Sequence, residues 1–160
     1  SEFSVMIDEA NAKRVEEWVA EAVNAGATCL FGGQREGNYM QPTILTNITK
    51  GQKVLAEEVF GPVVILESFE KLEDAIEIVN DSRWGLQAAI FTNHIKELNR
   101  AYQRLNVGAL IHNRSTTFRV DEMPYGGVKD SGFGREGGKW GFMDYVEPKL
   151  LVSEIGGIES

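Results

Sequence analysis

The chain has 160 residues, 42% of them hydrophobic and 25% charged, with a formal net charge of −8. That composition is ordinary for a globular protein of one expected domain, and its acidity argues against nucleic-acid partners, which call for clustered Lys and Arg. No apolar run approaches the roughly 18–20 residues that cross a bilayer, the N-terminus lacks the basic and apolar regions of a signal peptide, and the single Cys29 points to a reducing cytoplasm.

Asp8 suits the N-cap of a helix starting near Glu9. Val15, Trp18, Val19, Ala22 and Val23 recur as one apolar stripe along it. Gly26 is placed to end that helix in a left-handed cap. Thr28 to Phe31 is predicted to be a short buried strand, which makes Cys29 a small core hydrophobe. Gln41 to Leu45 is predicted to be extended, with Pro42 at a strand start or on an edge. Val63 to Leu66 forms a continuous apolar run, as in a strand buried on both faces. A helix striped by Leu72, Ala75, Ile76 and Val79 follows, then a buried strand over 86–91. Ile95, Leu98, Tyr102 and Leu105 stripe the next helix, and Val107 to Ile111 is a third strand. Strand–helix–strand–helix–strand implies an α/β fold with parallel pairing. A short helix over 136–143 and a strand over 146–152 complete the expected elements.

Three stretches could carry chemistry. In Glu58-Val59-Phe60-Gly61-Pro62, Glu58 and Phe60 lie two apart and in extended chain point to one side. A carboxylate can accept both hydroxyls of a ribose, and an aromatic face can pack on a planar ring. The alternative is a solvated acid beside a turn, with Phe60 in the core. The second stretch, Met123 to Gly138, holds six glycines in sixteen positions. Such a density suits neither helix nor strand interior and implies a loop with close backbone approaches. Gly132-Phe133-Gly134-Arg135-Glu136-Gly137 fits a dinucleotide fingerprint, but that motif needs a preceding strand and Lys129-Asp130-Ser131 is read as none. The third, Asn113 to Asp121, leaves the carboxyl end of a predicted strand, where open α/β sheets bind ligands. Arg114 or Arg119 there could hold an anion through the planar guanidinium fork, or could pair with Asp121 or Glu122 to hold the loop.

These motifs, in this order, resemble the aldehyde dehydrogenase superfamily, from about Met6 to Val152. The resemblance implies a parallel three-layer α/β catalytic domain, truncated at its N-terminal side, over residues 6–145. It also implies an oligomerisation strand and tail over 146–160. Residues 1–5 are read as a cloning remnant or disordered start. In that family Glu58 and Phe60 match positions that contact the nicotinamide ribose and ring of NAD or NADP. Phe118 and Tyr125 match aromatics lining the substrate tunnel. Asn113, Pro124, Gly126, Gly127, Lys129, Ser131, Gly132 and Arg135 match a structural loop. Phe118-Arg119-Val120-Asp121 ahead of Met123-Pro124-Tyr125-Gly126-Gly127 is similar to the lactaldehyde, phosphonoacetaldehyde and non-phosphorylating glyceraldehyde-3-phosphate dehydrogenase group. A small aldehyde, anionic if Arg114 or Arg119 binds it, is the implied substrate, and a homo-dimer or homo-tetramer the implied assembly.

The resemblance places the nucleophilic cysteine and general-base glutamate upstream of this segment, so it assigns no catalytic residue here, and the isolated chain is expected to be inactive. Cys29 lacks the Gly-Gln-x-Cys setting of the nucleophile. His94 and His112 stand alone, with no acid or thiol at metal-ligand spacing, so no metal is expected. Glu67, Glu70, Glu73, Asp74 and Glu77 read as the wet face of a helix and its approach. Two other readings remain open: a non-catalytic scaffold module derived from this fold, and a small-anion-binding domain built on Arg119.

Overall fold

The apolar stripe over 15–23 folds as the first helix, α1 (Glu9–Asn24), in a computed structural model that describes residues 3–154. Residues 1–2 and 155–160, parts of the expected start and tail, lie outside the described residues. The chain divides into two compact units, Ser1–Glu70 and Lys71–Ser160, where length alone suggested one.

In the first unit Asp8 caps α1, its carboxylate accepting from the Asn11 amide at 2.7 Å. These bonds hold the Asp8 carboxyl below its ordinary pKa. Ala12, Val15, Val19 and Ala22 bury one face of the helix. That face packs in a core with Ala27, Met40, Leu45 and Val54, flanked by Trp18, Val59, Val63 and Ile65. After α1 come β1 (Thr28–Phe31), the small hairpin β2 (Arg35–Glu36) and β3 (Tyr39–Met40), then β4 (Thr43–Thr46), the single-turn α2 (Lys53–Ala56) and β5 (Val63–Leu66). The sheet order is β1-β4-β5, antiparallel then parallel, with a bulge between Cys29 and Phe31. Pro42 therefore sits just before the central strand, where no ladder bond is asked of it. Thr43 is buried but satisfied: its hydroxyl donates to the Gln41 carbonyl at 2.8 Å and accepts from the Gly33 amide at 3.0 Å. Gly32, at φ +76°, lies so close to the Pro42 carbonyl that any Cβ there would collide.

Two burial expectations fail in this sheet, because both strands are edges. β5 alternates, with Val64 and Leu66 exposed, instead of being buried on both faces. β1 is exposed throughout, so Cys29 is an exposed thiol and no part of the core.

The second unit contains α3 (Leu72–Asn80), β6 (Trp84–Gly85), β7 (Gln87–Ile90), α4 (Ile95–Arg104), β8 (Ala109–His112), β9 (Val128–Lys129) and α5 (Gly138–Met143). β7 and β8 pair in parallel with α4 as the crossover, Gln87 opposite Ala109 and Ile90 opposite His112. β5 belongs to the first unit's sheet, so the expected three consecutive parallel strands are divided between two sheets. β6 and β9 form a short antiparallel ladder, which places Lys129 in a two-residue strand where a loop was expected. Ile76, Ala101 and Ile111 are buried, whereas Val79, Ile95, Tyr102, Leu86 and Phe91 of the predicted stripes and strand are exposed. Arg100 on α4 pairs with Glu73 on α3. The Glu73 carboxyl lies below its ordinary pKa through a bond from its own backbone amide first and through Arg100 second. Among the described residues the 146–152 segment finds no ladder partner, and Leu150, Leu151 and Val152 are exposed. A strand exists only through its cross-strand hydrogen bonds. Among the described residues no helix is long and apolar enough to cross a membrane.

Leu45 is fully buried at the centre of the first core, so Leu45→Ala is expected to destabilise by about 2–5 kcal/mol, read as a lower denaturation midpoint. Asp8 and Glu73 both titrate lower in the folded chain. Their contribution to stability is therefore full above the unfolded carboxylate range and is lost as pH falls through the folded values. Asp8→Asn with Glu73→Gln should flatten the acid limb of stability against pH; an unchanged limb would rule the two carboxylates out as its source.

Candidate cofactor strap and substrate loop

In the first unit, residues 57–62 form a strap between α2 and β5, pinned at its middle and its end. Arg14 on α1 lies 4.6 Å from the Trp18 ring and donates to the Val59 carbonyl at 2.8 Å, while Val59 packs against the core. Gly61 lies against Val15, where a Cβ would approach the Val15 methyl to 2.9 Å. The Pro62 carbonyl accepts from the Thr43 amide at 2.8 Å and so starts the β4–β5 ladder. Glu58 and Phe60, on either side of the partly buried Val59, are exposed, Phe60 by 75%. Phe60 is therefore not a core residue. It sits at φ +46°, so the straight extended geometry that would align it with Glu58 does not hold through this position. A left-handed backbone is uncommon outside glycine.

In the second unit, the loop following β8 is latched to the end of β7. The Asn113 side chain accepts from the Thr92 amide at 3.0 Å and donates to the Thr92 carbonyl at 3.2 Å. It thereby prolongs the parallel pairing by one position with side-chain groups. His112 Nε2 also reaches the Thr92 carbonyl, at 2.9 Å. Beyond the latch, the Arg114 guanidinium lies 4.8 Å from the Phe118 ring centroid.

The glycine-rich stretch is a loop closed by a two-residue bridge. The Tyr125 amide donates to the Glu136 carbonyl at 3.0 Å, and the Glu136 amide to the Tyr125 carbonyl at 2.6 Å. Inside it, Arg135 donates to the Gly127 carbonyl at 2.9 Å, and the Ser131 hydroxyl accepts from the Gly85 amide at 2.9 Å. Lys129 donates to the Asn80 and Ser82 carbonyls, both at 2.9 Å, and Asp130 accepts from Arg83 at 2.7 Å. Gly126 is approached so closely by Gly108 that a Cβ on Gly108 would overlap the Gly126 carbonyl. Pro124 and Gly132 make no side-chain bond in this fastening; Gly132 instead supplies a φ of +135°. The helix after the fingerprint-like glycines, α5, begins only at Gly138 and runs six residues.

Arg119 crosses to this loop. Its guanidinium stacks 4.2 Å from the Tyr125 ring centroid, and Nη2 donates to the Glu136 carboxylate at 3.1 Å. The expected partners Asp121 and Glu122 are not the ones it takes. A depression of about 550 Å³ runs along the loop, lined among others by Tyr125, Phe133, Arg135, Glu136 and Tyr145. Thr92, Asp130 and Glu136 were not singled out by sequence, because each takes its role from a residue 17 to 47 positions away. The exposed Cys29 thiol donates to the Phe31 carbonyl at 3.3 Å, within its own edge strand. Among the described residues, no group of three or more His, Cys, Asp or Glu side chains is placed to hold a metal ion.

Comparison with known proteins places this arrangement. The profile of the aldehyde dehydrogenase family matches residues 1–151. A 3-sulfolactaldehyde dehydrogenase of Priestia megaterium is 45% identical over 155 residues, covering 97% of this chain and 32% of the relative. The solved structure of aldehyde dehydrogenase 21 from Physcomitrella patens, in complex with the reaction product succinate, has a TM-score of 0.89 at 41% identity and covers 93% of this chain and 31% of that one. Glyceraldehyde-3-phosphate dehydrogenase GapN from Methanocaldococcus jannaschii, complexed with NADP, has a TM-score of 0.78 at 39% identity and covers 85% and 29%. The chain spans about a third of the length of the curated relatives it matches. With the glycine-rich loop and the Glu58–Phe60 strap in the order the motifs implied, and the family profile covering residues 1–151, the chain belongs to the aldehyde dehydrogenase family.

Proposed function

We propose that this chain supplies the cofactor-facing strap and the substrate-tunnel loop of an NAD(P)-dependent aldehyde dehydrogenase that oxidises a small anionic aldehyde to its carboxylate. The observation that carries the substrate class is the Arg119–Tyr125 stack, with Arg114 over Phe118 as a second cation on the same connection. A guanidinium has five N–H donors, and Glu136 takes one of those on Arg119. The remainder can meet a sulfonate, phosphate or carboxylate in the planar geometry that suits Arg. The chain as a whole carries a net charge of −8 and repels anions at long range, so an anionic substrate needs such local cations. The names of the relatives agree in kind: one acts on a sulfonated aldehyde, one is a glyceraldehyde-3-phosphate dehydrogenase, and one holds succinate as product.

The strap fits the nicotinamide end of NAD or NADP. Glu58 is exposed on a segment that Arg14 and Val15 hold still, and its carboxylate would accept the ribose hydroxyls. Phe60 offers an uncovered ring face to the nicotinamide. When bound, the nicotinamide supplies the hydride acceptor. The chain's own residues bind and orient: Tyr125 and Phe118 line the tunnel, and Arg119 holds the substrate's far end. Cys29 is not read as the nucleophile, because its thiol turns to the Phe31 and Gly32 carbonyls and, among the described residues, no base is at hydrogen-bond reach. The 146–152 segment is read as a strand that completes its ladder on a second subunit, in a cytoplasmic homo-oligomer.

The purified 160-residue chain is expected to form no NAD(P)H with small aldehydes and either cofactor. Turnover abolished by Cys29→Ala would overturn this assignment of roles. In the full-length enzyme, Arg119→Ala should raise KM for a sulfonated three-carbon aldehyde by roughly tenfold or more, the weight of a hydrogen bond to a charged group. KM for the neutral three-carbon aldehyde should change far less. An unchanged KM for the anionic substrate would remove the basis of the substrate class.

A further inference from the structure

We propose that Glu136 is a specificity-setting residue: it occupies Arg119 in the free protein and competes with the substrate's anion for it. The inference rests on the reading of Arg119 as the anion-binding cation.

Three features of the loop carry it. First, Glu136 does two separable jobs. Its main chain closes the loop through the Tyr125 bridge, and its carboxylate, independently, accepts from Arg119 Nη2 at 3.1 Å. The side chain can therefore be changed while the bridge stays. Second, the orientation of Arg119 does not depend on the carboxylate alone, because the guanidinium also stacks 4.2 Å from the Tyr125 ring, and cation–π attraction persists without an anion. Third, the ion pair is largely in water, with Arg119 44% and Glu136 72% exposed. An exposed pair is weak enough for a ligand to displace. A substrate anion that approaches the remaining N–H donors of Arg119 meets the Glu136 carboxylate beside them. Like charges at such separations repel, so Glu136 holds anionic aldehydes more loosely than Arg119 alone would. The neutral carbonyl end of the substrate feels no such term. Glu136 thereby tunes the preference between anionic and neutral aldehydes without touching the reacting carbon.

The test uses the full-length enzyme and two substrates, a sulfonated three-carbon aldehyde and its neutral counterpart. Glu136→Gln keeps the side chain's length and the main-chain bridge but removes the charge. It is expected to lower KM for the sulfonated substrate about two- to fivefold relative to the neutral one, the weight of an exposed ion pair. The ratio of the two KM values is the readout, because a general loosening of the loop would move both together. Glu136→Asp, which retains the charge, should restore most of the original ratio. In the Arg119→Ala background, Glu136→Gln should shift the ratio much less, since the group being competed for is gone. If Arg119→Ala raises the ratio but Glu136→Gln leaves it unchanged, the inference falls and the anion-binding reading stands. A rise in both KM values by the same factor would make Glu136 a purely structural residue and also overturn the inference. If Arg119→Ala itself leaves the ratio unchanged, the substrate reading falls, and this inference with it.

Discussion

The loop from Tyr125 to Glu136 has little apolar surface to bury, and ordering it costs conformational entropy at every residue. It is paid for in hydrogen bonds to neighbouring main chain. The Tyr125–Glu136 bridge brings the two ends together, Arg135 fills the interior by bonding the Gly127 carbonyl, and Lys129 and Ser131 fasten the middle to residues 80–85. Gly108 and Gly126 make this possible from below, because the backbones approach too closely for any Cβ. The positions of Tyr125 and Arg119, and with them the proposed substrate contacts, follow from that fastening. A loop held by its own side chains would place them less firmly, since binding groups need a rigid support to be useful.

The strap over 57–62 solves the same problem by other means. One long side chain, Arg14, reaches from α1 to the Val59 carbonyl, and the absence of a side chain at Gly61 lets the strap settle on Val15. With Val59 inward, its neighbours Glu58 and Phe60 are left facing outward. Of the residues proposed to meet ligand, Glu58, Phe60, Arg114 and Arg119 are left exposed by the anchoring, while Phe118 and Tyr125 are half-buried under the two arginines. Phe60 in particular is large, apolar and 75% exposed, an arrangement that solvent alone does not favour.

Local signals were legible in the sequence wherever the structure obeys them. Asp8, the stripe through Val15 and Val19, and Gly26 place α1 within a residue or two, because capping and helical periodicity act over a few positions. The positions of β1, β4, β5, β7 and β8 were legible too, to within two residues, but strand burial was not, and the two-residue strands left no pattern long enough to read. Val63-Val64-Ile65-Leu66 reads as doubly buried, yet β5 is an edge strand with alternating exposure. An apolar run reports what a strand could bury, and its neighbours decide what it does bury. Ile95 and Tyr102 on α4 and Phe91 after β7 fail for the same reason. In the candidate site, the motif positions were visible but their partners were not: Arg119 takes Glu136, seventeen residues on, in preference to the acids beside it. The φ of +46° at Phe60 also has no local mark, since nothing in a Val-Phe-Gly triplet demands a left-handed phenylalanine.

The division of labour in the proposed enzyme follows from what these anchored segments hold. On the proposed reading, cations over aromatic rings, an exposed carboxylate and an uncovered phenyl face serve recognition, and none of them is the thiolate of the covalent step. The exposed thiol, Cys29, is on an edge strand whose carbonyls take up its S–H, in the unit that carries the strap. A covalent step needs a thiolate with a base beside it, whereas a recognition surface needs only fixed geometry and the right charge. Catalysis improves with recognition when binding energy from the non-reacting end of a substrate is used to position the reacting one. A short aldehyde with an anionic tail has two ends, and on this reading the chain holds the tail. An ion pair such as Arg119–Glu136 is then better placed in water than in the core. Buried, it would be too strong for a substrate to open, and its two charges too costly to leave unpaired. Exposed, it is weak enough to exchange partners each time a substrate enters.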